Sequence, residues 1–167
     1  AMGNAKPAEE KGITFSYDML GEAARTDEDA ERYFHAYSSA IAAIAKACTG
    51  NAVRTNPGIS VKLSALDPRY ETGQHARTMR VLVPRTLALA QAARAANMGF
   101  NIDAEEADRL DLSLDVIQAV LSDPSLAGWD GFGVVVQAYG RRAGAVLDFL
   151  HALATQLDRK LMVRLVK

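Results

Sequence analysis

The chain has 167 residues, the size of one domain, and its 19 Lys and Arg residues nearly balance its 20 Asp and Glu residues, which gives a formal net charge of −1. This balance leaves no excess of positive charge for binding nucleic acid, so we expect no nucleic acid partner for this segment. The single cysteine, Cys48, excludes an internal disulfide and a Cys-rich zinc site, and it favours a reducing compartment such as the cytoplasm.

The first eleven residues differ from the rest of the chain, because they show no periodic apolar pattern and lack the apolar stretch of a signal peptide. No run of about 18 apolar residues that could span a bilayer follows them. We interpret residues 1–11 as a loose leader or a cloning remnant and assign residues 12–167 to the predicted domain.

The first predicted strand covers residues 13–19, and a helix follows it. This helix begins at Thr26, whose hydroxyl can cap the first turn together with Asp29 three residues later. Gly50 is placed to end the helix. The predicted apolar face of the helix consists of Ala30, Phe34, Tyr37, Ile41 and Ile44.

Three further helices and four further strands alternate along the rest of the chain. The strands are predicted at 59–66, 98–103, 131–138 and 160–166. A helical stretch from about 75 to 96 contains Pro84, which predicts either a kink or two helices that meet there. The remaining helices are predicted at roughly 107–122 and 142–157, and the first of them has an apolar face formed by Leu110, Leu114, Ile117 and Leu121.

The alternation of strands and helices predicts a parallel sheet, because helical crossovers join parallel strands and no hairpin turn occurs. No Gly-x-Gly-x-x-Gly pattern opens a helix after a strand, which argues against a dinucleotide-binding domain. We therefore predict an α/β fold of the parallel (βα)8 TIM-barrel family. Only about five strands and four helical crossovers are present, whereas a complete barrel needs eight strands and about 250 residues.

Polar side chains interrupt four of the apolar strands. With the strand period of two, Lys62 shares a face with Ser60, and Asp103 shares one with Asn101. Burial of such groups without partners costs several kcal/mol, so they must pair with each other or with a ligand. They lie near the carboxyl ends of the strands, where barrels and open α/β sheets bind their ligands. The four residues are Lys62, Asp103, Gln137 and Arg164.

Five blocks in this order cover nearly all of residues 13–167: FSYDMLGEA at 15–23, GISVKLSAL at 58–66, NIDAEE at 101–106, VQAY at 136–139 and MVRLVK at 162–167. Together they resemble the proline dehydrogenase domain of the bacterial proline utilization A flavoproteins. The resemblance implies a (βα)8 barrel that binds FAD and oxidises L-proline to pyrroline-5-carboxylate, with a quinone as electron acceptor. It also implies that the parent protein can associate peripherally with the inner membrane.

The resemblance assigns the two charged residues of the second and third strands to the substrate site. Lys62 matches a lysine that approaches the substrate carboxylate, and the alternative is a structural Lys–Asp bridge across the barrel. Asp103 matches an acidic residue in a charge network with Lys62 and the active-site arginines. Its alternative role is to cap the helix that follows. Ala104 is then expected to lie against the flavin.

The resemblance assigns four residues of the later strands to the cofactor. Val135 and Gln137 match positions that contact the isoalloxazine, Gln137 at its pyrimidine edge, and the alternative for Gln137 is an amide satisfied within the core. Arg164 matches the arginine near the flavin N5, where a positive charge favours the reduced ring; its alternative is a structural ion pair. Lys167 begins the family's Lys-Gly-Ala-Tyr-Trp motif and is expected at the cofactor.

Glu22 matches a glutamate that pairs with one of two arginines that clamp the substrate. Those arginines do not occur in this sequence, so the alternative is a solvated carboxylate at the start of a helix. The three histidines have no mutual spacing that suggests a metal site, and we expect no metal.

Two other functions stay open. The chain could be a half-barrel module without activity that binds a complementary barrel fragment or a second copy of itself to cover its edge strands. It could also be a Schiff-base aldolase or lyase that uses Lys62 or Lys167 as the nucleophile. For the leading hypothesis, we expect the isolated chain to be inactive, because the substrate clamp is missing.

Overall fold

The computed structural model describes residues 2–19 and 23–167, and the sheet that it shows within them has five parallel strands. The strands are hydrogen-bonded in the order in which they follow one another in the chain. This arrangement confirms the predicted parallel α/β fold. The strands are β1 (Ser16–Asp18), β2 (Gly58–Val61), β3 (Gly99–Ile102), β4 (Phe132–Gln137) and β5 (Met162–Val166).

Four of the five α-helices within the described residues connect consecutive strands, and they supply the four predicted crossovers. Side chains of the strands that face these helices, such as Ile59, Phe100 and Val134, are buried in one hydrophobic cluster with residues of the helices. The opposite face of the sheet carries the polar residues. The helices are α1 (Met2–Glu9), α2 (Asp27–Ala45), α3 (His75–Ala95), α4 (Leu110–Leu121) and α5 (Ala143–Gln156).

Helix α2 begins as its sequence predicts. The Thr26 hydroxyl accepts a hydrogen bond from the Asp29 amide at 3.1 Å, and the Asp29 carboxylate accepts one from the Thr26 amide at 3.1 Å. This reciprocal pair satisfies two amides that a helix start leaves without partners. The helix ends at Ala45, before Gly50, and Phe34 is only half-buried, whereas the other four residues of the predicted face are buried.

Two expectations about the helices require correction. Helix α3 runs without a break through Pro84, so the alternative of two separate helices is wrong; Leu82 and Thr86, on either side of the exposed Pro84, anchor it in the core. The buried face of α4 is also turned relative to the prediction, and it excludes Leu110 and Leu114, which are half-buried. A short 3-10 turn at Ala107–Arg109 precedes α4, and Leu110 and Leu114 line a cavity that α4 shares with β4 and α5.

Strand β2 is shorter than predicted. It ends at Val61, and the chain then turns into a 3-10 helix over Leu63–Ala65. At Lys62 the backbone amide donates to the hydroxyl of Tyr37 on α2 at 3.2 Å. The first amide after β2 is thus paired with a side chain of α2 and not with a neighbouring strand. The Lys62 side chain leaves the backbone at this turn.

The segment before β1 is helical, although the prediction left it out of the domain. Ala5 of α1 is buried, and the hydroxyl of Tyr17 on β1 donates to the carboxylate of Glu9 at 3.3 Å. The helix therefore contacts the sheet at its first strand. Among the helices of the described residues, none combines the length and the apolar character that a bilayer-crossing segment requires.

Candidate active site at the carboxyl ends of the strands

A chain of four charged side chains crosses the carboxyl ends of the strands. The ammonium of Lys62 donates to both carboxylate oxygens of Asp18, at 2.8 and 2.9 Å, and to Oδ2 of Asp103 at 2.9 Å. The other oxygen of Asp103 accepts from Nη2 of Arg164 at 2.5 Å. Cations and anions thus alternate across β1, β2, β3 and β5.

The curvature of the sheet brings these residues together. Nη1 of Arg164 on β5 donates to the hydroxyl of Ser60 on β2 at 3.2 Å. In a flat sheet these strands would lie three spacings apart, about 14 Å, which is more than an arginine side chain can span. The sheet therefore curves around its polar face, as in a barrel.

Burial and the neighbouring carboxylates act in opposite directions on Lys62, whose side chain is 16% exposed. Burial by itself lowers the pKa of the Lys62 ammonium, but the hydrogen bonds and charges of Asp18 and Asp103 outweigh it and raise the pKa. Lys62 is therefore a cation at neutral pH. This form suits the binding of an anion, whereas a Schiff-base lysine needs the neutral amine.

A cavity of about 280 Å³ is lined by residues of β4, α4 and α5, and Asp103 is the residue of the charged chain that borders it. Ala104, Val135 and Gln137 line it together with Asp103. Farther from the strand ends, its wall consists mainly of apolar side chains of α4 and α5. Apolar walls with a few polar groups are typical of ligand sites.

The residues present fit one side of a flavin ring. Val135 and Ala104 provide apolar contact surface, and the half-buried Gln137 provides an amide. The side chain of Arg164 is 43% exposed, and its bonds to Asp103 and Ser60 use two of the five N–H groups of a guanidinium. Further donors of Arg164 can therefore meet a ligand.

The remaining predicted residues contribute less. Lys167 is exposed and follows the end of β5. Glu22 lies outside the described residues. Within residues 2–19 and 23–167, no group of three or more His, Cys, Asp or Glu side chains is arranged to hold a metal ion.

Two residues of the site were missed from the sequence. Asp18 ends β1 within the first matching block, and its place in a strand that neighbours that of Lys62 was the available signal. Glu105 is half-buried, and its carboxylate accepts hydrogen bonds from the amide of Ser64, at 3.1 Å, and from the Ser64 hydroxyl. Its neighbour Glu106 is exposed and pairs with Arg109 at 3.1 Å. No local pattern distinguishes the two glutamates.

Comparison with known proteins assigns the chain as a whole to one family. The family described as Proline dehydrogenase matches residues 1–167. The bifunctional protein PutA of Klebsiella aerogenes is 53% identical over 167 residues, which are 100% of this chain and 13% of that protein. The PutA of Rhizobium meliloti is 54% identical over the same share of each chain. The chain thus spans about an eighth of the length of these curated relatives.

Solved structures agree with the fold. The crystal structure of a mutant of Bradyrhizobium japonicum Proline Utilization A is 59% identical, with a TM-score of 0.90, over 97% of this chain and 17% of that chain. The structure of Bdellovibrio bacteriovorus PutA inactivated by N-propargylglycine is 25% identical, with a TM-score of 0.92, over 100% of this chain and 19% of that chain. The five parallel strands therefore correspond to part of the (βα)8 barrel of these proteins.

Proposed function

The chain belongs to the proline dehydrogenase family, and on that premise we propose that it supplies part of an active site that oxidises L-proline to pyrroline-5-carboxylate. FAD is the proposed cofactor, and a quinone is the proposed electron acceptor. One observation carries the proposal: Lys62 and Arg164 form ion pairs with the two oxygens of Asp103, and Asp103 lines a largely apolar cavity.

In this proposal Lys62 binds the carboxylate of proline. A carboxylate that leaves water needs charge-assisted hydrogen bonds to offset its lost hydration, and a fixed ammonium supplies them. Asp103 keeps Lys62 protonated and directs it, and the raised pKa of Lys62 supports this role. Asp18, whose side chain is 51% exposed, adds a second anionic partner from the first strand.

The cofactor residues have separate proposed roles. Val135 and Ala104 give the flavin ring an apolar surface, and Gln137 contacts its pyrimidine edge. Arg164 places a positive charge near the reacting edge of the ring, and Lys167 follows it along the chain. When bound, FAD supplies the acceptor for the hydride that leaves the proline ring.

The proposed function is tested with the protein as its gene encodes it. We expect the purified protein to retain FAD and to reduce an artificial electron acceptor only when proline is added. Lys62→Met should raise the KM for proline about 10- to 100-fold, because the substrate carboxylate loses a charged partner.

Lys160→Met is the matched control, since the Lys160 side chain is 84% exposed and lies 3.4 Å from Asp130, away from the site. Its KM for proline should equal that of the wild type. Retention of FAD without any proline-dependent reduction would contradict the proposed reaction, and only the assignment of the fold would stand.

One observation favours association as a second role. On edge strand β5, Val163 is 41% exposed and Leu165 is 58% exposed. Their aligned neighbours on β4, Val134 and Val136, are buried beneath helices. An edge strand with exposed apolar side chains pairs readily with another segment. Sedimentation of the 167-residue chain at several concentrations tests this role; a monomer at every concentration would contradict it.

A further inference from the structure

A second set of hydrogen bonds crosses the strand ends beside the charged chain, and it connects Ser64, Glu105 and Gln137. Ser64 follows β2, Glu105 follows β3, and Gln137 ends β4. The carboxylate of Glu105 accepts from Ser64, and the backbone carbonyl of the same Glu105 accepts from Nε2 of Gln137 at 3.0 Å. Glu105 is therefore the residue that joins the other two.

The Ser64 end of this set is buried and fixed. Ser64 is 4% exposed, and its hydroxyl also accepts from the backbone amide of Ala23 at 3.2 Å. The two carboxylate oxygens of Glu105 receive the Ser64 amide and the Ser64 hydroxyl separately. Two contacts on one carboxylate hold both its position and its orientation. They tie the segment after β3, which is neither helix nor strand at Glu105, to the end of β2.

The hydrogen bond to Glu105 fixes the orientation of the side-chain amide of Gln137. A backbone carbonyl can only accept a hydrogen bond, so the amide nitrogen of Gln137 must face Glu105. The amide oxygen Oε1 is then the atom that can accept an N–H from a ligand. Gln137, Ala104 and Glu105 all line the same cavity.

We propose that Glu105 is a positioning residue, which fixes the amide of Gln137 through its own backbone carbonyl so that Oε1 accepts an N–H from the ring of the cofactor. This inference rests on the proposed function, in which the ring is that of FAD and its pyrimidine edge carries an N–H. Glu105 itself does not need to touch the cofactor. The site would thus prefer a heterocycle with an N–H at that edge.

The test measures the Kd of FAD for the apoprotein of the protein as its gene encodes it. Glu105→Ala and Ser64→Ala should each raise this Kd about 3- to 10-fold, the loss expected from one misaligned hydrogen bond. Glu105→Gln, which keeps an acceptor for the Ser64 amide, should stay within about twofold of the wild type. Glu71→Ala, a change of an exposed glutamate that does not line the cavity, is the matched control and should leave the Kd unchanged.

A double-mutant cycle separates positioning from a general structural role. Gln137→Ala should raise the Kd as much as Glu105→Ala does, and the double variant should show no further increase, because Glu105 acts through Gln137. Additive effects, or an unchanged Kd in Glu105→Ala, would overturn the inference while the proposed function stands. A wild-type apoprotein that binds no FAD would overturn the proposed function, and this inference with it.

Discussion

The guanidinium of Arg164 lies 2.5 Å from the carboxylate of Asp103, although β4 separates their two strands. Val135, the residue of β4 aligned with Arg164, is apolar and offers no competing partner. The second oxygen of Asp103 binds Lys62, so one carboxylate neutralises two cations from two strands. This position makes Asp103 the central residue of the charged chain.

Replacement of Asp103 by Asn should therefore destabilise the fold. Asp103→Asn preserves the shape but leaves Lys62, which is 16% exposed, and Arg164 without the anion between them. We expect the free energy of unfolding to fall by about 2–3 kcal/mol, less than the roughly 3–5 kcal/mol for a fully buried ion pair, because Lys62 keeps Asp18 as a partner and Arg164 is 43% exposed. Urea denaturation measures this change. The control is Asp111→Asn, since Asp111 pairs with Arg142 but is 79% exposed, and it should show no measurable change. Equal effects would contradict a special role of Asp103.

Glu105 should make stability depend on pH in a predictable direction. Burial raises the pKa of Glu105 above its usual value of 4.5, so the folded state binds its proton more tightly than the unfolded state. The stabilisation from this difference is complete below pH 4.5 and is lost as pH rises through the higher folded-state pKa. The free energy of unfolding of the Glu105→Gln variant should therefore not decrease in this way as the pH rises above 4.5. Glu106→Gln should follow the wild-type curve, and a Glu105→Gln curve parallel to it would contradict the prediction.

The hydroxyl of Tyr37 should contribute to stability separately from its buried ring. Tyr37 is 0% exposed and accepts the Lys62 amide, so Tyr37→Phe leaves a buried N–H without its acceptor. We expect a loss of about 1–3 kcal/mol in the free energy of unfolding. Thermal or urea denaturation near neutral pH measures it. Tyr139→Phe, at a residue that is 70% exposed, should have no effect.

The same hydroxyl also predicts a pH dependence at high pH. Burial raises the pKa of Tyr37 from 10.0 to about 12. The proton is thus held more tightly in the folded state, and the stability that it contributes is lost as pH rises from 10.0 through about 12. The difference in unfolding free energy between the wild type and Tyr37→Phe should shrink over that interval. A constant difference would contradict the assignment.

Two glycines should respond in opposite ways to replacement by alanine. A Cβ on Gly58 would lie 2.8 Å from the carbonyl oxygen of Gly99 on the neighbouring strand, and backbone atoms within a sheet cannot move aside. Gly58→Ala should lower the free energy of unfolding by about 1–3 kcal/mol. Gly144 in α5 has open space at this position, so Gly144→Ala should raise it by about 0.5–1 kcal/mol through helix propensity. Urea denaturation of both variants checks the two signs.

The sequence by itself determined the elements that depend on local chemistry. The alternation of strand and helix patterns specified the parallel sheet, and Thr26 with Asp29 specified the start of α2, because both features depend only on neighbours in the chain. The strand period also placed Lys62 and Asp103 on polar faces. The five blocks resembled the correct family, although the roles of the individual site residues stay proposals.

Tertiary structure alone decided which side chains meet. The curvature of the sheet brings Arg164 to Ser60 across three strand spacings, and a periodic pattern specifies a face but no curvature. Strand β2 ends at Val61, earlier than predicted, and the next amide donates to the hydroxyl of Tyr37 on α2, a partner that a strand pattern does not specify. Glu105 accepts hydrogen bonds from Ser64 after β2, whereas Glu106 is exposed and pairs with Arg109. This difference depends on contacts between segments that are distant in the chain, so no local pattern predicts it.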